Sequence, residues 1–90
     1  MYALTFIYEG VDDNNPFATT MAVSEDKDKL RATMKEHINN DLEIPENEDD
    51  QWDDYANYQI YSEYDDEVIL QHRKRVNLYI KYQIHPVVVL

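Results

Sequence analysis

Cysteine is absent from this chain and glycine is nearly so. The 90 residues include no cysteine and a single glycine, Gly10. The lack of cysteine excludes disulfides, thiolate metal sites and cysteine nucleophiles, and it fits a cytoplasmic protein. A single glycine excludes the glycine-rich loops that cradle phosphate groups.

Long apolar runs are missing as well. No stretch approaches the roughly 20 apolar residues that a membrane-spanning helix needs. Residues 1–5 show neither a basic region nor a small-residue cleavage site, so we expect no signal peptide. A length of 90 residues fits one domain with one small core. We therefore expect a single acidic α+β domain over residues 1–90, located in the cytoplasm.

Positive charge is scarce and unevenly placed. The formal net charge is −11, and residues 41–67 hold twelve carboxylates without one lysine or arginine. Such a chain repels nucleic acid and anionic membranes and attracts basic protein surfaces. We expect no direct nucleic-acid binding and no membrane binding. The alternative is that the charge only keeps the protein soluble.

Alternating apolar residues dominate what is present. From Val76 to Ile84 every second residue is apolar, a period of two that is typical of a half-buried strand. This stretch is predicted to be the central strand of the fold. Similar patterns, rich in aromatic and β-branched residues, predict further strands at residues 2–8, 17–23, 57–64 and 67–73.

One amphipathic helix is predicted between the second and third strands. Ser24 is the expected N-cap, and Leu30, Met34 and Ile38 recur at helical spacing over residues 25–39. The element order is therefore β-β-α-β-β-β. This order predicts an α+β fold with one helix packed on an antiparallel sheet of four to five strands.

An irregular acidic loop is expected over residues 45–56, because Pro45 ends any preceding helix and polar residues follow it. A short helical turn is expected within it, at residues 51–56. The expected core consists of residues on the apolar faces of the predicted strands and helix: Leu4, Phe6, Tyr8, Leu30, Met34, Ile38, Ile60, Leu70, Leu78 and Ile80.

No motif indicates a metal or cofactor site. Residues 12–15 offer oxygen ligands, but an EF-hand starting at Asp12 needs glycine and glutamate where Phe17 and Val23 stand. We therefore expect neither metal nor cofactor.

Histidine also gives no catalytic signature. His37 is interpreted as a cation near the helix C-terminus and His72 as an edge or rim residue. Neither these nor His85 shows the spacing to an acid or a second histidine that marks a triad or a metal pair. The alternative is a small hydrolase or metal-dependent enzyme whose site carries no recognisable motif.

The acidic stretch within residues 41–67 is the predicted partner-binding site. A non-catalytic interaction protein would use it to bind a basic protein partner. A narrower hypothesis is an inhibitor that mimics nucleic acid, because alternate residues of a straight strand, such as Glu63, Asp65 and Glu67, lie ~6.6 Å apart, about two phosphate steps. The turn that is predicted at residues 65–66 argues against this spacing. In size and charge the chain is similar to small acidic proteins of phages and mobile elements. The predicted partner-binding residues are Glu46, Glu48, Asp49, Asp50, Trp52, Asp53, Asp54, Glu63, Asp65, Asp66 and Glu67.

The last four residues, Val87, Val88, Val89 and Leu90, are all apolar. An uncovered tail of this composition would be a sticky edge, which proteins usually avoid. Either the tail packs on its own sheet or helix, or it packs on a second copy of the chain. Of these two arrangements we favour the homodimer.

Overall fold

The computed structural model describes residues 1–9, 17–53 and 55–88. It contains one helix packed on an antiparallel sheet of five strands, which confirms the predicted α+β fold and element order. In chain order the elements are β1 (Tyr2–Glu9), β2 (Phe17–Ser24), α1 (Lys27–Asp41), a short 3₁₀ helix (Asp50–Trp52), β3 (Tyr58–Glu63), β4 (Glu67–His72) and β5 (Tyr79–Pro86).

The sheet order is β2-β1-β5-β4-β3, so β5 is the central strand, as its alternation indicated. β1 pairs with β5 along its whole length, from Tyr2 opposite Pro86 to Glu9 opposite Tyr79. On its other edge β5 pairs with β4. The inward residues of β5 are apolar because they lie under α1 and between two strands on each side.

The predicted start of the central strand was wrong. Val76 lies in a turn and is 58% exposed, although the alternating pattern places it on the same face as the buried Leu78. The backbone N–H of Leu78 donates to the carbonyl of Arg75 at 2.8 Å, which closes the turn between β4 and β5. Regular pairing begins only at Tyr79, so alternation continued in sequence beyond the point where the strand begins in space.

The helix begins two residues later than Ser24 and Glu25 indicated. Asp26 is the N-cap, and its side chain accepts a hydrogen bond from the N–H of Asp28 at 3.0 Å. Ser24 instead ends β2, and its Oγ accepts from the N–H of Asp26. Aspartate is as good a cap as serine, so the strand could extend without loss to the helix. The helix ends at Asp41, two residues beyond the predicted end.

The predicted core is largely confirmed. Leu4, Leu30, Met34, Ile38, Leu70, Leu78 and Ile80 are buried, and Phe6 and Tyr8 pack against them partly buried. Tyr58, Val68, Tyr82 and Ile84 complete the buried cluster. Within the described ranges, no helix combines the length and apolarity that a membrane crossing requires.

Ile60 was predicted in the core and is 46% exposed. The pairing of β3 with β4 shifts between Ile60 and Ser62, which is a β-bulge at Tyr61 on the edge strand. The helix packs mainly over β1, β2 and β5, so the face of β3 receives little cover. Alternation alone cannot show that an edge strand lies beyond the reach of the helix.

Candidate functional site

The acidic loop, residues 43–53, connects the end of α1 to the segment that leads into β3. Its carboxylates are all exposed: Glu43, Glu46, Glu48, Asp49, Asp50 and Asp53. In the part of the chain that the structure describes, none of them takes part in an ion pair. Counting only described residues, the loop therefore presents to the solvent six carboxylates that have no ion-pair partner.

Short-range hydrogen bonds shape this loop. The N–H of Asp50 donates to the carbonyl of Asn47 at 3.1 Å, and the N–H of Asp53 donates to that of Asp50 at 3.1 Å. The side chain of Gln51 donates to the carbonyl of Pro45 at 2.9 Å. The helical turn spans Asp50–Trp52, one residue earlier and shorter than the expected turn at residues 51–56.

His72 fixes the loop to the end of β4. Its Nε2 lies 2.9 Å from the carbonyl oxygen of Asp53, and its Nδ1 accepts from the N–H groups of Lys74 and Arg75. Because Nδ1 accepts, the hydrogen-bond network assigns the tautomer that carries its proton on Nε2. The interpretation of His72 as an edge or rim residue was wrong, since it is fully buried and packs edge-on against Tyr58.

Asn57 fixes the other side of the loop. Its N–H donates to the carbonyl of Glu43 at 2.8 Å, and its side-chain amide donates to that of Gln51 at 2.9 Å. Its carbonyl accepts from the N–H of Arg73. Asn57 was predicted to begin a strand, but its φ of 71° is left-handed, a conformation that asparagine tolerates better than most residues.

The second acidic group lies at the turn between β3 and β4 and is partly neutralised. Asp66 contacts Lys27 and Arg31 of α1, each at 2.8 Å, and Glu67 lies 3.7 Å from Lys81. Hydrogen bonds from Lys27 and Arg31 lower the pKa of Asp66 below its ordinary value. The same contact with Asp66 raises the pKa of Arg31. Glu63 and Asp65 at this turn are exposed.

The predicted partner-binding residues thus form two separate groups. The acidic loop contacts His72, the last residue of β4. The β3–β4 turn lies at the opposite end of that strand, just before Glu67. Six residues of strand separate the two ends, or roughly 17–20 Å. The loop brings together Glu46, Glu48, Asp49, Asp50, Trp52 and Asp53, and the turn brings together Glu63, Asp65, Asp66 and Glu67. Asp54 lies outside the described residues.

The turn predicted at residues 65–66 is present, and it interrupts the straight strand that the spacing argument for nucleic-acid mimicry requires. Glu63 ends β3, Glu67 begins β4, and Asp65 lies in the turn between them. These carboxylates therefore do not form one straight row along a strand.

A cleft of about 390 Å³ opens between the C-terminal end of α1 and the sheet. At its polar end, the hydroxyl of Tyr82 donates a hydrogen bond to Oδ2 of Asp41, and His37 stacks obliquely 6.3 Å from the Tyr82 ring. Burial raises the pKa of Asp41, although the Tyr82 hydroxyl partly opposes this effect. Burial and the Asp41 carboxylate raise the pKa of Tyr82. The other lining residues are Phe6, Tyr8, Phe17, Met21, Tyr55 and Ile80.

Sequence reasoning missed this cleft. Asp41 follows His37 by four residues, so both lie on one side of α1, but that spacing is common in solvent-exposed helix faces. Tyr82 belongs to the alternating series of residues 76–84, and that pattern predicts only that its side chain faces the core. The contact between Asp41 and Tyr82 depends on where the helix crosses the sheet, which the sequence does not reveal. Within the described ranges, the histidine and acidic side chains form no group of three or more that could hold a metal ion.

The C-terminal tail, residues 87–90, follows β5 in the sequence. The N–H of Val87 donates to the carbonyl of Met1 at 3.0 Å, and the side chain of Val88 is 86% exposed. Val89 and Leu90 lie outside the described residues. The homodimer through this tail stays a prediction.

The comparisons with known proteins give no relative. No protein-family model matches the chain, and no curated protein or solved structure shows significant similarity to it.

Proposed function

We propose that this protein is a non-catalytic interaction protein that binds a basic protein partner through its acidic loop. The observation that carries the proposal is the exposed row of carboxylates at residues 43–53, which have no intramolecular ion pair within the described residues. At the β3–β4 turn, by contrast, Asp66 and Glu67 already contact cations of the same chain. The loop is therefore the better site for an external cation.

Trp52 gives the loop an apolar anchor. Its side chain is 54% exposed and lies between Gln51 and Asp53 in the acidic sequence. Tryptophan is among the residues that contribute most at protein interfaces, because it buries a large rigid area on binding. Carboxylates around such an anchor would provide orientation and a fast encounter, and tryptophan would slow dissociation.

The attachment of the loop supports the same function. His72 and Asn57 are buried, and both hold the loop backbone through hydrogen bonds. A loop that is already held in place loses less conformational entropy on binding. Two buried polar residues that serve a solvent-exposed acidic loop are more than solubility alone requires.

Charge neutralisation tests the proposal. Asp49, Asp50 and Asp53 would be changed together to Asn, and exposed Glu9, Glu25 and Glu36, which lie outside the loop, would be changed to Gln as a matched control. A protein captured from the native host by the wild type would be purified and its affinity measured by calorimetry at two salt concentrations.

The loop variant is expected to bind the captured partner about tenfold more weakly, with a shallower salt dependence, while the control keeps most of its affinity. Equal affinity of the loop variant and the wild type would overturn the proposal. Competition with DNA for the captured partner would identify the narrower function, an inhibitor that mimics nucleic acid. Without such competition, the partner is an ordinary basic protein.

A further inference from the structure

Among the described residues, Asp41 is the carboxylate that lines the aromatic cleft, and the ring of His37 lies beside it in the lining. Its Oδ2 accepts from the Tyr82 hydroxyl, and within the described residues its Oδ1 has no hydrogen-bond partner and the side chain has no ion pair. A half-buried carboxylate with one oxygen still open is suited to a donor that carries positive charge.

The walls of the cleft are suited to the same kind of ligand. Phe6, Tyr8, Phe17 and Tyr55 contribute aromatic rings, and the Phe6 ring lies 5.3 Å from that of Tyr82. Aromatic faces attract cations, and the attraction grows when the cation loses its water. A neutral apolar ligand would bury Asp41 further without pairing it, and an anion would be repelled by it. The chemistry of the cleft therefore selects an organic cation.

The cleft adjoins the acidic loop. Tyr55 lines the cleft, and it also lines a shallow depression together with Trp52, Asp53 and Arg75. A basic segment that contacts the loop would therefore pass next to the opening of the cleft.

We propose that the cleft binds one lysine side chain of the basic partner, with its ammonium on Oδ1 of Asp41 and its methylene chain between the aromatic rings. This inference rests on the proposed function of the acidic loop. Lysine fits better than arginine, because the Tyr82 hydroxyl occupies one carboxylate oxygen. A guanidinium binds best to both oxygens at once, whereas an ammonium is a compact charge that needs only one.

A small organic cation that resembles a lysine side chain tests the cleft in the absence of the partner. The protein would be titrated with n-pentylammonium, with neutral 1-pentanol and with n-butylguanidinium, and binding would be followed by backbone and aromatic NMR shifts. Pentylammonium is expected to shift the resonances of Asp41, Tyr82 and Phe6, and to bind more tightly than the other two compounds. Absence of shifts at the cleft, or equal binding of pentanol, would overturn the inference.

Three variants define the site. Asp41→Asn keeps an oxygen that accepts from Tyr82, and is expected to weaken pentylammonium binding about tenfold. Phe17 begins β2 and is 55% exposed, and Phe17→Leu, which removes an aromatic ring from the cleft wall, is also expected to weaken pentylammonium binding. Asp50→Asn makes the same charge change outside the cleft and should leave pentylammonium binding nearly unchanged. Equal loss in Asp41→Asn and Asp50→Asn would mean that only net charge matters, which overturns the site.

The partner assay separates this inference from the function on which it rests. Asp41→Asn by itself should weaken binding of the captured basic partner, as the loop variant by itself should. If the loop variant loses partner affinity but Asp41→Asn does not, the lysine inference fails and the proposed function stands. If Asp41→Asn loses affinity for pentylammonium while the loop variant keeps its partner affinity, the acidic-loop function fails.

Discussion

The Nε2 atom of His72 lies 2.9 Å from the carbonyl oxygen of Asp53, so a fully buried residue of β4 holds an acidic loop nineteen residues earlier in the chain. The other ring nitrogen accepts from two N–H groups of the β4–β5 turn. One imidazole therefore joins the proposed binding loop, the end of a core strand and the following turn.

Replacement of His72 tests this role. His72→Phe keeps the ring volume but leaves three backbone groups without their partner, so we expect a loss of roughly 2–4 kcal/mol in the free energy of unfolding. Amide exchange should become faster in residues 50–53 than in β1. His37→Phe, on an exposed helix position, serves as the control and should change stability little. Equal stability of the two variants would contradict the role of His72.

Asn57 provides a test of the left-handed backbone. Asn57→Gly and Asn57→Ala both lose the hydrogen bond to Gln51. Of the two residues, only alanine has a Cβ atom that makes a φ of 71° sterically unfavourable. We expect the alanine variant to be about 1 kcal/mol less stable than the glycine variant in urea unfolding. The reverse order would mean that the backbone at residue 57 is not left-handed.

Leu78 and Val76 occupy alternate positions of one apolar pattern but differ in burial, since Leu78 is 2% exposed and Val76 is 58% exposed. Leu78→Ala removes a buried side chain and should cost about 2–5 kcal/mol. Val76→Ala, the matched control, should cost less than about 0.5 kcal/mol because its side chain faces solvent. The urea midpoints of the two variants check the start of β5, and similar midpoints would show that the strand begins earlier.

Asp66 makes stability depend on pH in the acid range. Its pKa lies below the ordinary value of 3.8, because Lys27 and Arg31 hydrogen-bond to the ionised carboxylate. The folded state therefore gains stability from Asp66 above pH 3.8 and loses it as the pH falls through the lowered pKa. Asp66→Asn should lower the urea midpoint at neutral pH, with the difference from wild type shrinking in acid. Asp65→Asn, beside it and exposed, is the matched control and should lower the urea midpoint at neutral pH less than Asp66→Asn does.

The C-terminal tail tests self-association. Deletion of residues 87–90 removes the Val87 hydrogen bond to Met1 together with the exposed Val88 side chain. If the tail forms a homodimer, light scattering should give a dimeric mass for the full chain and a monomeric mass for the deletion variant. Val88→Lys, which leaves the backbone bond in place, should also dissociate the dimer. A monomeric full chain at high concentration would contradict the homodimer.

Strand and helix positions could be predicted from the sequence because their periodicities are local. The stripe of Leu30, Met34 and Ile38 and the alternation of Leu78, Ile80 and Tyr82 each reflect burial under one neighbouring layer. Ile60 has the same kind of pattern, but its exposure depends on a bulge and on the position of the helix. Periodicity reports that a residue could face a core, not that a core reaches it.

The candidate sites depend on contacts between distant residues, and there the sequence was less informative. The concentration of carboxylates at residues 41–67 indicated an acidic surface, but not its division between two ends of the sheet. His72 continues the alternating series of Val68 and Leu70 on the buried face of β4, and this pattern was the evidence in the sequence for its burial. The pairing of Asp41 with Tyr82 spans 41 residues and left no such sign.

The position of β5 between β1 and β4 also determines when the fold can be completed during synthesis. β1 with β2, and β3 with β4, can form as two separate antiparallel pairs while the chain emerges from the ribosome. Neither pair touches the other in the sheet until β5, which is made after both, takes its place between them. Joining β1 to β5 closes a loop of most of the chain, an entropic cost that slows folding. Until β5 emerges, the edges of β1 and β4 that it will cover stay open, and the nascent chain is most prone to aggregation during this interval.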